Sequence, residues 1–173
     1  MILLGIGSNL PSKFGDRYEN IKLAIKYIKE NKIKIIKKSS YYETPSYPDK
    51  EKPKFINVVI EIFTNLSFAD LVSILISIEE ILERKRNKKN DPRTCDIDII
   101  DFNKKIEIYN FNNSIFKVPH ESLSSRNFVL YPLMEILPDW VHPVSKLTVK
   151  ELINILEEDK NKSILKIEKN WYN

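Results

Sequence analysis

The sequence contains little cysteine and no long apolar run. Cys95 is its only cysteine, which excludes an intrachain disulfide or a cysteine-built metal cluster and is typical of a reducing compartment. Residues 1–5 are apolar, but no basic segment precedes them, and the apolar run ends too early for a signal peptide or a membrane span. We therefore expect a cytoplasmic protein that does not enter a membrane, with Cys95 in its core.

The size and charge of the chain set only broad limits. We expect one domain spanning residues 1–173, which is long enough to bury roughly 70% of its unfolded surface. A hydrophobic content of 42% with 30% charged residues is typical of a soluble globular protein. The net charge of +4 and the pI of about 9.0 permit nucleic acid, a membrane surface or a small polyanion as a partner, and they favour none of these.

Acidic and aliphatic residues alternate at positions 95–100, which predicts a half-buried strand with Asp96 and Asp98 on one face. Such neighbours stand roughly 6.6 Å apart. Two bare carboxylates at that distance repel by roughly 2.5 kcal/mol at an effective dielectric constant of about 20. A divalent cation removes this repulsion, and magnesium prefers one or two protein carboxylates together with water and phosphate oxygens. The pair therefore indicates half of a metal site, with a polar strand face of two solvated acids as the alternative.

The segment before this strand has the opposite charge. Six of the ten residues at positions 84–93 are cationic. The guanidinium groups of Arg84, Arg86 and Arg93 can each bind phosphate oxygens through two parallel hydrogen bonds. A phosphate-binding loop and a phosphate-bound metal would therefore meet at one place in the fold.

Periodicity along the chain predicts the order strand, helix, strand, strand, helix, strand. This is the order of a ferredoxin-like α+β sandwich, in which an antiparallel sheet carries two helices on one face. Residues 55–63 form the clearest strand, with Asn57 next to an aromatic residue on one of its faces. Asn57 is either half of a ligand pair or a solvent-side residue. We expect the open face of the sheet to carry Asn57, Asp96 and Asp98.

Other elements follow from caps and from β-forming residues. Asp16, Ser67 and Thr148 each precede an apolar helical stripe as capping residues, and Ser124 or Ser125 can cap a short helix. The remaining predictions are one strand over 33–44, a hairpin over 103–109, and a strand around 164–167 within a helical C-terminal extension.

Seven motifs in this order resemble the 6-hydroxymethyl-7,8-dihydropterin pyrophosphokinase family of folate biosynthesis. They are Gly5-x-Gly7-Ser8-Asn9, Tyr42-x-Thr44-Pro45, Phe55-Ile56-Asn57, Arg84-x-Arg86, Pro92-Arg93-Thr94-x-Asp96-Ile97-Asp98, Val118-Pro119-His120 and Arg126-x-Phe128-Val129-Leu130-x-Pro132-Leu133. The resemblance covers about residues 4–143, and the fifth motif is the most specific. It implies an enzyme that transfers the β,γ-pyrophosphoryl group of ATP to the hydroxymethyl oxygen of the pterin and releases AMP.

The resemblance also implies a role for each matching residue. Asp96 and Asp98 would hold two Mg²⁺ ions that bridge the phosphates of ATP, the co-substrate. The catalytic phosphate ligands would be Arg84, Arg86 and Arg93, carried by a loop that closes over ATP as a lid, with further nucleotide contacts from His120 and Arg126. The pterin would contact Thr44, Pro45, Phe55, Asn57, Asp96 and Phe128, with its ring between the two phenylalanines. Without the family, His120 is open to the role of a general base, although a lone histidine after a proline is more often structural.

The lid departs from the family pattern. Glu83 stands where a glycine usually precedes the Arg-x-Arg pair, and Lys89, Asn90 and Asp91 stand where Arg-Trp-Gly is frequent. The missing tryptophan usually helps to seal the pterin site, and lysine cannot reproduce the guanidinium fork. We therefore expect weaker closure.

Two other functions compete with this one. An RNA-recognition module shares the predicted fold, but it needs aromatic residues on its central strands, where this chain has carboxylates. A catalytically idle relative is the second alternative, prompted by the altered lid. The expected partners are therefore ATP and the pterin, with no nucleic acid and no membrane, and a partner enzyme from the folate pathway stays open.

Overall fold

The computed structural model describes residues 1–85, 91–111 and 114–168. Arg86, Lys89 and Asn90 of the predicted lid lie outside these ranges. The strands are β1 (Ile2–Ser8), β2 (Lys34–Lys38), β3 (Tyr41–Thr44), β4 (Phe55–Phe63), β5 (Asp96–Phe102), β6 (Glu107–Phe111), β7 (Ser114–Val118) and β8 (Leu165–Ile167). The helices are α1 (Arg17–Glu30), α2 (Phe68–Ile81), α3 (Asn127–Ile136), α4 (Val149–Ile155) and α5 (Glu158–Lys162), with a 3₁₀ turn at Leu123–Ser125.

A six-stranded antiparallel sheet in the order β5-β1-β4-β3-β8 forms the centre of the fold, and β2 also pairs with β4. The two central strands, β1 and β4, are rich in aliphatic residues and buried along most of their length, as strands covered on both faces are. The predicted ferredoxin-like α+β sandwich is confirmed, including the helical C-terminal extension. Its last strand, β8, pairs with β3 close to where a strand was predicted.

The two faces of the sheet are covered by different helices. On one face, Ile56, Val58, Ile60 and Ile62 of β4 join the large core formed with α1 and α2. On the other face, Val59 belongs to a second core beneath α3 and α4. The sequence predicted that this second face is open. It is open only at the end of the sheet where β4 begins, because the apolar stripes of α3 and α4 cover the rest.

Capping predictions hold at three helices and fail at one. Asp16 and Ser67 accept hydrogen bonds from backbone N–H groups of the first turns of α1 and α2, and Thr148 forms a full capping box with Glu151. The prediction that Ser124 or Ser125 caps α3 is wrong. Ser125 belongs to the preceding 3₁₀ turn, and α3 begins after Arg126 without a side-chain cap.

Two strand predictions are also corrected. Residues 33–44 form two strands because Ser39 leaves the regular ladder, and its hydroxyl accepts a hydrogen bond from the Val59 N–H at 3.1 Å. The hairpin predicted over 103–109 is wrong, since β6 pairs with β7 in a separate two-stranded sheet. Tyr109 of β6 stacks on Phe68 of α2, with the ring centroids 3.7 Å apart, and so packs this sheet against α2. Within the described ranges, no helix has both the length and the apolar character of a membrane span.

Cys95 is buried and free, as expected of a core residue. Burial raises the pKa of its thiol well above the ordinary value, so the thiol stays protonated and unreactive near neutral pH.

A buried carboxylate ties the second core to the sheet and yields a stability prediction. Asp101 is fully buried, and its oxygens accept hydrogen bonds from the Trp140 indole N–H at 3.1 Å and the Lys104 N–H at 2.7 Å. We expect Trp140→Phe to lower the free energy of unfolding in urea by about 1–3 kcal/mol, because one carboxylate oxygen loses its donor. A double-mutant cycle with Asp101→Ala, which removes the acceptor, separates this bond from the effect of the smaller ring. Additive effects in the cycle would contradict the prediction.

Candidate active site

Two glycines form the floor of the open end of the sheet. Gly7 of β1 pairs with Asn57 on one side and Asp96 on the other, and Gly5 pairs with Asp98. Directly paired residues of antiparallel strands project from the same face. The side chains of Asn57, Asp96 and Asp98 therefore stand along the two sides of a strip that carries no side chain of its own. The sequence placed these three residues together, and the register confirms that they share a face.

A side chain at Gly7 would fill this trough. A Cβ atom at that position would lie 3.2 Å from Asn57 Oδ1 and 3.5 Å from Phe55 Cδ1. Asn57 is 6% exposed, and its Nδ2 donates hydrogen bonds to Thr44 Oγ1 at 3.0 Å and to the Tyr42 carbonyl at 3.4 Å. The amide is thereby held in one orientation, with Oδ1 over the glycine strip.

Asp96 is held by two arginines. Arg93 donates to Asp96 Oδ2 from Nε at 2.7 Å and from Nη2 at 2.5 Å, while Arg84 Nη1 lies 2.5 Å from Asp96 Oδ1. Burial acts to raise the pKa of Asp96, but Arg93 and Arg84 outweigh it and lower the pKa below its ordinary value. The carboxylate is therefore ionised, and each of its oxygens faces a guanidinium group.

The end of α2 directs Arg84 into the site. The N–H of Arg84 donates to the carbonyl of Glu79, and that of Glu83 to the carbonyl of Glu80, which together form a Schellman motif. Glu83 has a φ of 65°, the left-handed conformation that explains why glycine is usual at this position. Its carboxylate accepts a hydrogen bond from the Lys13 N–H at 3.1 Å and pairs with the Lys13 ammonium at 3.2 Å.

Glu79 is a site residue that the sequence analysis missed. It is 3% exposed, forms an ion pair with Arg84, and accepts a hydrogen bond from the Ile97 N–H at 2.7 Å. It therefore links α2, the arginine and the strand that carries both aspartates. Its spacing in the sequence could have indicated this burial. Glu79 is four residues after Leu75 and three before Leu82, so it is an acid on the apolar face of α2.

Asp98, Arg126 and His120 form a second charged group. Arg126 Nη1 lies 3.2 Å from Asp98 Oδ2 and 3.4 Å from His120 Nε2. Burial and the charge of Asp96 raise the pKa of Asp98. Burial also lowers the pKa of His120, and Arg126 adds to this effect against the opposing influence of Asp98. His120 is therefore mainly neutral near pH 7.

The hydrogen bonds of His120 decide which of its nitrogens carries the proton. Its Nδ1 accepts a hydrogen bond from the Ser122 N–H at 3.1 Å, so the neutral ring is protonated at Nε2. The side of the ring that faces Arg126 and Asp98 therefore presents an N–H donor.

Both site phenylalanines lie beneath arginines. The Arg93 guanidinium is 5.1 Å from the centre of the Phe55 ring, and the Arg126 guanidinium is 5.5 Å from that of Phe128. These contacts connect the aromatic residues to the two charged groups. The structure thus brings ten predicted residues to this end of the sheet in three contact groups, and Pro45 follows Thr44 at the end of β3. The groups are Thr44 with Asn57; Phe55, Arg93, Asp96 and Arg84; and Asp98, Arg126, His120 and Phe128.

The donor set constrains which ion could bind. Among the described residues, no three or more histidine, cysteine, aspartate or glutamate side chains converge as a metal site. Asp96 and Asp98 alone fit a hard cation that takes its remaining ligands from water and phosphate oxygens. A zinc site, which takes its ligands from several side chains, does not fit them.

Comparison with known proteins agrees with this geometry. The model of the 7,8-dihydro-6-hydroxymethylpterin-pyrophosphokinase (HPPK) family matches residues 3–138. A 2-amino-4-hydroxy-6-hydroxymethyldihydropteridine pyrophosphokinase of Aquifex aeolicus is 33% identical over 150 residues, which cover 87% of this chain and 88% of that protein. The enzyme of the same name from Methylorubrum extorquens is 32% identical, over 89% of this chain and 92% of that protein.

Longer proteins match as well. The folic acid synthesis protein fol1 of Schizosaccharomyces pombe is 32% identical over 88% of this chain, which spans only 20% of that protein. Crystal structures of Plasmodium falciparum HPPK-DHPS share the fold. The wild type has a TM-score of 0.64 at 17% identity, over 88% of this chain and 40% of that one. A variant with pterin and p-hydroxybenzoate has a TM-score of 0.71 at 16% identity, over 96% of this chain and 47% of that one.

The family match covers most of the chain, and two relatives of similar length are about one-third identical along most of theirs. The chain therefore belongs to the 7,8-dihydro-6-hydroxymethylpterin-pyrophosphokinase family.

Proposed function

We propose that this protein transfers the pyrophosphoryl group of ATP to the hydroxymethyl oxygen of 6-hydroxymethyl-7,8-dihydropterin and releases AMP, as a step of folate biosynthesis. The observation that carries the proposal is that Asp96 and Asp98 stand on one side of the glycine strip and Asn57 stands on the other. This arrangement puts a site for phosphate-bound cations next to a strip without side chains, bordered by polar groups, over which a flat heterocycle can lie.

The pterin lies over the Gly7 strip. Asn57 Oδ1 is oriented to accept hydrogen bonds from the ring, while Thr44 and Pro45 border it and Asp96 is close to the hydroxymethyl end. Phe55 and Phe128 stack on its two faces, which suits a planar ring. The support is the fixed amide of Asn57 and the partial exposure of both phenylalanines.

The nucleotide phosphates lie on the side of the arginines. Arg84, Arg93 and Arg126 bind phosphate oxygens, as does Arg86, which the family resemblance adds from outside the described residues. His120 donates a hydrogen bond from Nε2 and does not act as a general base, because its Nδ1 is already an acceptor. Such transfer depends mainly on positioning and charge neutralisation, and these residues supply both.

Asp96 and Asp98 would hold Mg²⁺, two ions by family resemblance, against the phosphates. When bound, Mg²⁺ neutralises phosphate charge and polarises the phosphorus that is attacked. Arg84 and Arg93 keep Asp96 ionised and oriented before the substrates arrive. Each arginine then exchanges a carboxylate oxygen for a phosphate oxygen, so it acts first as a counter-ion and afterwards as a phosphate ligand.

We also propose that the protein is cytoplasmic, which the free Cys95 thiol supports, and that residues 1–173 form a single domain. A partner enzyme from the same pathway is supported by the Plasmodium chains, in which HPPK is joined to DHPS. An RNA-recognition module is disfavoured. Phe55 lies on the open face of the central strands, but the carboxylates of Asp96 and Asp98 on the same face would repel a phosphate backbone.

The transfer itself is tested by incubating the protein with ATP, Mg²⁺ and the pterin and measuring AMP. We expect AMP release that requires the pterin and stops with EDTA. Asp96→Ala should lower the rate at least about 100-fold, because the charge at the phosphates is no longer compensated. The exposed Asp159→Ala serves as a matched control with unchanged rate. Folded wild-type protein that binds pterin without releasing AMP would identify a catalytically idle relative.

The glycine strip predicts a selective effect on pterin binding. We expect Gly7→Ala to weaken pterin affinity at least about 10-fold, since the new methyl group would displace Asn57 and Phe55. Gly5→Ala is the matched control, because its methyl group would meet only the flexible end of Ile100 at 3.2 Å. Calorimetric titration of both variants measures the difference. Equal affinities would mean that the pterin does not lie on this strip.

The counter-ion role of Arg93 predicts opposite effects on metal binding and on turnover. Arg93→Gln removes a positive charge that contacts Asp96, so we expect Mn²⁺, a spectroscopic substitute for Mg²⁺, to bind about 3- to 10-fold more tightly without nucleotide. AMP release should fall at the same time. Lys26→Gln removes the same charge from the exposed side of α1, where Lys26 pairs only with Glu30 among its acidic neighbours on the helix, and should change neither value. Weaker Mn²⁺ binding by Arg93→Gln would contradict the proposed exchange.

A further inference from the structure

Asn9, directly after β1, connects two segments that are far apart in the sequence. Its side chain is 2% exposed, and its Nδ2 donates hydrogen bonds to Ser46 Oγ at 3.2 Å and to the Pro53 carbonyl at 3.0 Å. Its Oδ1 accepts a hydrogen bond from the Arg93 N–H at 2.7 Å. The donor end of one buried carboxamide thus binds the loop at 45–54, and its acceptor end binds the segment before β5.

The backbone next to Asn9 strengthens the second connection. The N–H groups of Asn9 and Leu10 both donate to the Arg93 carbonyl, at 3.1 and 3.2 Å. The peptide groups on both sides of the Arg93 Cα atom are therefore fixed to the end of β1. Because the Arg93 guanidinium contacts both Asp96 and Phe55, this connection sets where that guanidinium lies.

The first connection closes the base of the 45–54 loop. Ser46 Oγ donates to the Pro53 carbonyl at 2.6 Å, so this carbonyl accepts hydrogen bonds from both Ser46 and Asn9. The loop begins after Thr44 and ends before Phe55, two proposed pterin contacts. The hydrogen bonds of Asn9 therefore hold together the two ends of the loop that borders the pterin.

We propose that Asn9 is a positioning residue that couples the pterin side of the site to the nucleotide side. When the pterin restricts the 45–54 loop to one conformation, the hydrogen bonds of the buried Asn9 side chain also restrict Arg93. When phosphates fix Arg93, the same hydrogen bonds restrict the loop. Each ligand then binds more tightly when the other is present, as linkage requires of two sites that share one element. The inference rests on the roles proposed above for Thr44, Phe55 and Arg93.

Only a carboxamide of this length offers a donor and an acceptor in opposite directions here. Asn9→Asp keeps an acceptor for the Arg93 N–H but brings a carboxylate oxygen towards the Pro53 carbonyl, so it loses the bond to Pro53 and weakens the loop connection alone, with the Ser46 hydroxyl as the one donor left to the new carboxylate from this loop. Asn9→Ala breaks both connections. Ser46→Ala removes one acceptor of Asn9 and leaves its bond to Pro53, and it serves as the milder variant.

The test measures pterin affinity with and without an α,β-methylene analogue of ATP, whose bridging carbon blocks the transfer. The dissociation constant of the pterin without the analogue, divided by that with the analogue, measures the coupling between the sites. In the wild type we expect a ratio well above one. In Asn9→Asp we expect it to fall about 10-fold, with a higher KM for the pterin and a lower kcat. Ser46→Ala should change these quantities in the same direction by a smaller factor.

Each outcome decides the inference. A purely structural role would weaken both affinities and leave their ratio unchanged, which would overturn it, as would a wild-type ratio of one. Unfolding in urea is measured in parallel, and if Asn9→Asp does not fold, the ratio for Ser46→Ala decides. If the wild type releases AMP and the variants have the same ratio of dissociation constants as the wild type, the role of Asn9 is overturned and the proposed function stands. Wild-type protein that binds neither ligand would overturn the proposed function as well.

Discussion

The arrangement of the site follows from one electrostatic constraint. Two carboxylates stand two residues apart on one strand face, Asp96 mostly and Asp98 partly buried, so their charges repel and each is stabilised by positive charge nearby. Asp96 obtains it from Arg84 and Arg93, and Asp98 from Arg126. These arginines come from the end of α2, the segment before β5 and the residue before α3. Ion pairs with the two carboxylates therefore hold three distant parts of the chain together at one end of the sheet.

The rest of the fold frees that end of the sheet for ligands. Two cores cover both faces of the central strands, but α3 and α4 stop short of the end where β4 begins. There, glycine replaces the side chains that elsewhere fill the space between sheet and helices. Stability is thus concentrated in the covered part of the sheet, and the uncovered part carries the polar residues whose geometry is fixed by hydrogen bonds to neighbouring strands.

Much of the site could be predicted from the sequence, because its residues lie in short motifs whose spacing fixes a shared face. The period-2 pattern around Asp96 predicted its partner Asp98 correctly. Contacts between distant segments could not be predicted in this way. The buried pairing of Glu79 with Arg84, the two connections of Asn9 and the pairing of β6 with β7 all depend on which elements meet in space. Periodicity also indicates that a face is apolar, but it does not say which helix covers that face.

The left-handed backbone at Glu83 restricts how this family member can vary. Because the Schellman motif at the end of α2 sets the direction in which Arg84 leaves the helix, residue 83 is selected first for its backbone conformation. Glycine and asparagine adopt this conformation easily, whereas valine, isoleucine and threonine do so with strain. Substitution at this position is therefore limited by stereochemistry before charge matters, and the backbone conformation of residue 83 constrains where the side chain of Arg84 can lie.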